Sequence, residues 1–137
     1  DPLDRDISHY NYDMEKGDID SDNFQDHCKK LAGNFMILWL YKNYLCKDPT
    51  ETIEAKYDTV RHCLHNSFNK VFTINKFEDS WNQISDVLKL DREPRLNTNR
   101  SNSDYKQYIS RTELDKHFVE WHQQHNSFDY MLYKEFS

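Results

Sequence analysis

Arg5 and Ser8 stand one helical turn apart, in a stretch that opens Asp1-Pro2-Leu3-Asp4. A helix start carries free N–H groups and partial positive charge, and a guanidinium with a hydroxyl beside it makes a phosphate site. The plainer reading of the same residues is a capped helix with an exposed Arg–Asp pair. A second polar cluster, Leu96-Asn97-Thr98-Asn99-Arg100-Ser101, sets an arginine among short hydroxyl and amide side chains. That set suits a phosphate-rich nucleotide, and it reads equally as a solvated loop. Two histidine pairs, His62 with His65 and His122 with His125, have the i, i+3 spacing of zinc ligands. No adjacent Cys or carboxylate completes either set in sequence, so no metal is expected. Asp18-Ile19-Asp20-Ser21-Asp22 has a calcium-loop pattern, but Asn23 replaces the required Gly and Lys29 the bidentate Glu, which excludes it.

These groups need elements to hold them. Leu3, Ile7, Tyr10 and Met14 form one helical stripe, with Asp1 as N-cap and Pro2 in the first turn. A long helix is expected from about Asp22 to Tyr44, with Leu31, Phe35, Leu38 and Leu45 on one face. Asp48-Pro49-Thr50-Glu51 reads as the start of the next helix. Ile53, Tyr57, Val60, Leu64 and Phe68 give that helix a clean apolar stripe. The period then changes. Val71-Phe72-Thr73-Ile74-Asn75 is β-branched and aromatic, the one strong strand signal. Phe77, Trp81, Ile84 and Leu88 return to helical spacing, and residues 91–109 read as a polar loop. Ser110 and Glu113 form a capping box for a helix continuing through Leu114, Phe118, Trp121 and His125. A last helix is expected from Ser127 to Phe136. A lone strand has no partner for its backbone groups, which suggests that the rest of a sheet lies in sequence not shown.

Composition sets the outer bounds. The chain has 137 residues, enough for one domain or a large piece of one. With 36% hydrophobic and 15% aromatic residues, its core must lean on Phe, Tyr and Trp. Mean hydropathy is −1.04. Two glycines are too few for the tight turns of an all-β sandwich. A formal charge of −6 argues against nucleic acid as partner, while leaving room for a local basic cleft. The longest apolar run, Phe35 to Tyr41, is too short to span a membrane. No signal peptide is visible, and with Asp1 rather than Met at its start the chain is expected to be a processed or partial product. Cys28, Cys46 and Cys63 lack metal-ligand spacing and read as small helix residues, with their disulfide state open.

The wording of several segments adds to this. Asp1-Pro2-Leu3-Asp4-Arg5-Asp6-Ile7-Ser8-His9-Tyr10 resembles the 3′-phosphate motif of Golgi-type PAPS-dependent carbohydrate sulfotransferases, the heparan sulfate 6-O- and 2-O-sulfotransferase group above all. That motif runs Arg-Asp-Pro, two variable residues, Arg, two variable residues, Ser, one more, Tyr. Asn23-Phe24-Gln25 with Leu31-Ala32-Gly33 is similar to the family's Asn-x-Gln…Leu-Ala-Gly segment, spaced about two residues wider. Ala55-Lys56 and the 71–75 strand resemble the family's next helix and strand, with Lys76 where a glutamate is usual. Leu96 to Ser101 resembles a loop that closes over the nucleotide. Asn126 to Tyr133 is similar to a terminal Asn-x-x-Asp-x-x-Leu-Tyr helix, read as packing.

The resemblance implies an α/β fold, a P-loop-like parallel sheet flanked by helices. Residues 1–137 would be the C-terminal portion of that single domain, mostly α with one strand near 71–75. The chain would need the N-terminal half of the domain as its partner and would be inactive alone. The implied activity is transfer of a sulfuryl group from PAPS, the co-substrate, to a hydroxyl of a carbohydrate acceptor, with no metal. Arg5, Ser8, Thr98, Asn99 and Arg100 would contact the nucleotide. The catalytic base would lie upstream, with none of the seven histidines assigned. The implied location is the Golgi lumen, on a type II membrane protein. Asn99-Arg100-Ser101 is a glycosylation sequon expected to stay unmodified, since a glycan would obstruct that loop. The alternative is a small helical secreted or interaction module without catalysis.

Overall fold

The computed structural model describes residues 1–19, 23–45, 50–68, 70–71, 77–90 and 108–137. Helix α1 spans Pro2–Lys16 and starts as its sequence dictates. The Asp1 carboxylate accepts from the backbone N–H of Leu3 and Asp4 at 2.9 and 3.3 Å. Such a cap contributes about 1 kcal/mol. Gly17 ends the helix at φ 74°, a left-handed position where a glycine costs nothing. The expected stripe is buried: Leu3, Ile7 and Tyr10 face inward, and Met14 packs beside them.

The long helix expected from Asp22 to Tyr44 is instead two helices. Asn23 caps α2, Phe24–Lys30, through hydrogen bonds from Gln25 and Asp26 N–H. The chain then breaks over Leu31–Asn34, with Asn34 at φ 59°. Helix α3, Phe35–Leu40, follows and widens into a π turn at Tyr41–Leu45. The break re-aims the face. Leu31 and Phe35 are exposed, while Ile37 and Tyr41 are buried. The cause is tertiary: a Cβ on Gly33 would lie 2.1 Å from the His125 carbonyl oxygen, so the backbones touch at this point.

Helix α4, Ile53–Ser67, is capped by Thr52 rather than by the Asp48-Pro49 segment, of which Asp48 and Pro49 lie outside the described residues. Its Tyr57 and Val60 are buried and Ile53 and Leu64 pack beside them, although Phe68 is exposed. Helix α5 spans Phe77–Leu88, as the spacing predicts. Among its described side chains the buried ones are Ser80 and Ser85, whereas Leu88 is exposed. The Ser110–Glu113 box is present, with Glu113 Oε2 accepting from Ser110 N–H at 2.7 Å. It closes a single 3-10 turn, Arg111–Glu113, and not the helix expected there. That helix, α6, begins at Lys116 because the Asp115 carboxylate takes the Phe118 N–H at 2.8 Å. Helix α6 runs to His125, and after Asn126 helix α7 covers Ser127–Phe136, the expected span.

Two cores result. Leu3, Ile7, Tyr10, Phe24, Cys28 and Phe118 join α1, α2 and α6. Ile37, Tyr41, Tyr57, Val60 and Leu132 join α3, α4 and α7. The described residues are a helical assembly without a strand. Val71 carries no strand pairing there, and residues 72–75 of the expected strand lie outside them. Among the described residues, no helix is long and apolar enough to cross a membrane.

Candidate functional site

Helix α1 carries the first expected phosphate residues, and the structure separates them. Ser8 is exposed on the outer surface of α1. One turn on, Asn11 is buried and grips the chain where it returns from residues 91–107. Its Oδ1 accepts from Tyr108 and Ile109 N–H at 2.8 and 2.9 Å, and its Nδ2 donates to the Ile109 carbonyl at 2.9 Å. One turn before Ser8, the Arg111 guanidinium lies 3.1 Å from Asp1 and 2.9 Å from Asp4. Ser8 therefore sits between two ties that hold the end of the polar loop against α1. Thr98, Asn99 and Arg100 lie outside the described residues.

Arg5 is turned inward. Its Nε and Nη2 donate to Asp6 Oδ1 at 2.9 and 2.6 Å, and its Nη1 donates to Asp129 Oδ2 at 3.0 Å. The Phe35 ring covers the guanidinium, 4.9 Å from its centre. The other Asp6 oxygen lies 2.9 Å from Nε2 of the buried His122, whose Nδ1 is 3.2 Å from the Tyr130 hydroxyl. Burial alone would raise the Asp6 carboxyl. The hydrogen bond from His122 and the charge of Arg5 outweigh it and hold Asp6 below the usual carboxylate range. An ionised Asp6 accepts the Nε2 proton, and Nδ1 faces the Tyr130 hydroxyl. Burial, against the Arg111 charge and with the Asp6 charge adding to it, pushes the Tyr130 phenol up to about 12. Both His122 nitrogens are thus committed within the protein.

Asp129 closes the network. Beyond Arg5, its oxygens accept from Met36 and Ile37 N–H at 2.8 and 2.9 Å, capping α3 from outside. Asn34 returns the favour, its Oδ1 accepting from Phe128 and Asp129 N–H at 2.8 and 3.2 Å at the start of α7. The Asn34 N–H is in turn held by Asn126 Oδ1 at 2.8 Å. Two helix N-termini thus meet head to head, each capped by a side chain of the other.

A cavity of about 410 Å³ opens beside this network, lined among others by Asp6, His9, His27, Cys28, Phe35 and His125. Burial, then the Asp6 charge, pushes the Cys28 thiol up to about 12, so it is not a nucleophile at neutral pH. His125 stacks on Trp121 at 4.8 Å and meets the Leu31 carbonyl at 3.1 Å. His65 turns to Glu135 and His62 to Asn66. Among the described residues, no group of three or more His, Cys, Asp or Glu is arranged to hold a metal ion.

Sequence reasoning did not single out Asn11 or Asn34, weighed His122 only as half of a zinc pair, and read Asp129 only as part of a packing helix. Asn11 and Asn34 look like surface polar residues in their own windows. A buried position on an apolar stripe is the signal that exists, and Asn11, directly after Tyr10, carries it. Compared with models of known protein families, with curated proteins and with solved structures, the chain matches none.

Proposed function

We propose that the chain is the C-terminal portion of a PAPS-dependent carbohydrate sulfotransferase, contributing the grip on the 3′-phosphate of the nucleotide. The observation that carries this reading is a tie between α1 and the chain beyond the polar cluster. Tyr108 and Ile109, which follow the segment that holds Thr98, Asn99 and Arg100, are bonded to Asn11, one turn from the exposed Ser8. The resemblance assigns both segments to one nucleotide, and the residues just after the second are held by the helix that carries the first. Asn126 and Asp129, from the last resembling segment, are bonded to the residues that follow Leu31-Ala32-Gly33. In this reading Ser8 donates its hydroxyl proton to a 3′-phosphate oxygen, and Arg100 supplies a planar cationic fork from the loop. PAPS would supply the sulfuryl group, and the upstream sheet of an α/β fold would supply the base. Carbohydrate is the acceptor, in the Golgi lumen.

The test uses the polypeptide that carries this chain in full, with calorimetric titration of adenosine 3′,5′-bisphosphate and of adenosine 5′-phosphate. Ser8→Ala should weaken the bisphosphate by about 1.5–3 kcal/mol, one charge-assisted hydrogen bond. The 5′-phosphate should be nearly unaffected. Equal losses for both nucleotides would mean that Ser8 acts through folding. No binding of either by the unmodified protein would favour a non-catalytic helical module.

A further inference from the structure

Three polar side chains of α1 reach three different neighbours. Arg5 binds Asp129 of α7, Asp6 binds His122 of α6, and Asn11 binds the Tyr108–Ile109 backbone. The apolar stripe of Leu3, Ile7 and Tyr10 holds α1 down, but apolar contact is non-directional and lets a helix roll. Hydrogen bonds are directional, and three of them to separate elements fix the roll of α1 about its axis. Ser8 lies in sequence between the Arg5–Asp6 handles and Asn11 and is exposed. Each guanidinium nitrogen of Arg5 already donates to a carboxylate, and the Asp129 side chain is fully buried.

We propose that Arg5 is a positioning residue: with Asp129 and the Asp6–His122 pair it sets the roll of α1 that presents Ser8, and it does not itself hold the phosphate. This rests on the nucleotide reading of Ser8. Direct contact and positioning make opposite demands on Asp129. If Arg5 gripped a phosphate directly, Asp129 would compete for its guanidinium, and neutralising that carboxylate would free Arg5. Nucleotide binding would then tighten or stay unchanged. If Arg5 positions, the same change loosens α1 and weakens binding.

The experiment compares the unmodified full polypeptide with Asp129→Asn, Arg5→Lys and the double variant. Positioning predicts that Asp129→Asn lowers affinity for adenosine 3′,5′-bisphosphate by about tenfold, with the 5′-phosphate changed less than about twofold. The double variant should lose no more than the weaker-binding single variant, because both remove one tie. Unchanged or tighter bisphosphate binding in Asp129→Asn overturns the proposal, and so do additive losses. Amide exchange without nucleotide is the second readout. Exchange across Ile7–Asn11 should accelerate in Asp129→Asn and in Arg5→Lys, with α4 unaltered. Unchanged exchange in both overturns the anchoring, whatever the ligand. An unmodified protein that takes no bisphosphate sinks the nucleotide reading separately, and exchange still decides whether Arg5 anchors α1.

Discussion

Two carboxylates on α7 each meet an arginine, and they do different things. Asp129 is buried to the last atom of its side chain and serves Arg5 and two backbone N–H groups of α3. Glu135, two turns later, sits at the surface between Arg61 and His65 of α4. The hydrogen bond from Arg61, then that from His65, pulls the Glu135 carboxyl down to about 2. That depression records a preference for the charged form. In open solvent it converts into little stability, because water would serve the same carboxylate nearly as well. At Asp129 water is excluded, and the donors it serves have no substitute. The difference teaches that burial and backbone donors decide what a charge is worth, more than the presence of an arginine.

The first way to break this comparison is to remove both carboxylates in turn. Asp129→Ala should cost about 3–5 kcal/mol in urea denaturation, since it strands a partly buried Arg5 and uncaps α3. A loss below that of Glu135→Gln would reverse the argument. A smaller effect is expected where the two helix starts touch. Gly33→Ala pushes a methyl into the His125 carbonyl, and the backbone must shift at a cost of about 1–3 kcal/mol. A neutral result there would show that the junction is looser than its hydrogen bonds imply. The smallest change is Glu135→Gln, under about 1 kcal/mol at neutral pH. Its sign with pH sharpens the contrast. The folded carboxyl titrates below its unfolded value, so its contribution is whole above the usual glutamate range and disappears as pH falls toward 2. The gap between the native protein and Glu135→Gln should therefore close on acidification. A gap that widens would mean that Glu135 acts otherwise than through its charge.

Much of this was legible locally. The stripes of α1 and α4, the Asp1 cap and the full span of α7 follow from apolar spacing and short polar caps. The break at Leu31–Asn34 was not, because Leu31, Phe35 and Leu38 keep helical spacing straight through it. Gly33 was the visible hint, but its reason is a carbonyl about ninety residues away in sequence. The Ser110 box was read correctly as chemistry and wrongly as a helix start, since a box satisfies its own donors whether one turn or five follow. At the site, Ser8 was legible as a hydroxyl on a helix start, one turn from Arg5. The inward turn of Arg5 was not, because Asp129 reads in its window as one more first-turn acid.

The crossed caps at Asn34 and Asp129 also carry a consequence for the order of events during synthesis. Helix α3 has six residues before its π turn, far below the length at which a helix holds itself together in water. The carboxylate that caps it is 93 residues further along the chain. At ribosomal speeds that is a wait of roughly 5–20 s. Until α7 emerges, Phe35, Met36 and Trp39 have no fixed register. The nascent chain must carry that aromatic segment uncommitted, and a helix made some ninety residues later is the one that tells the third where to begin.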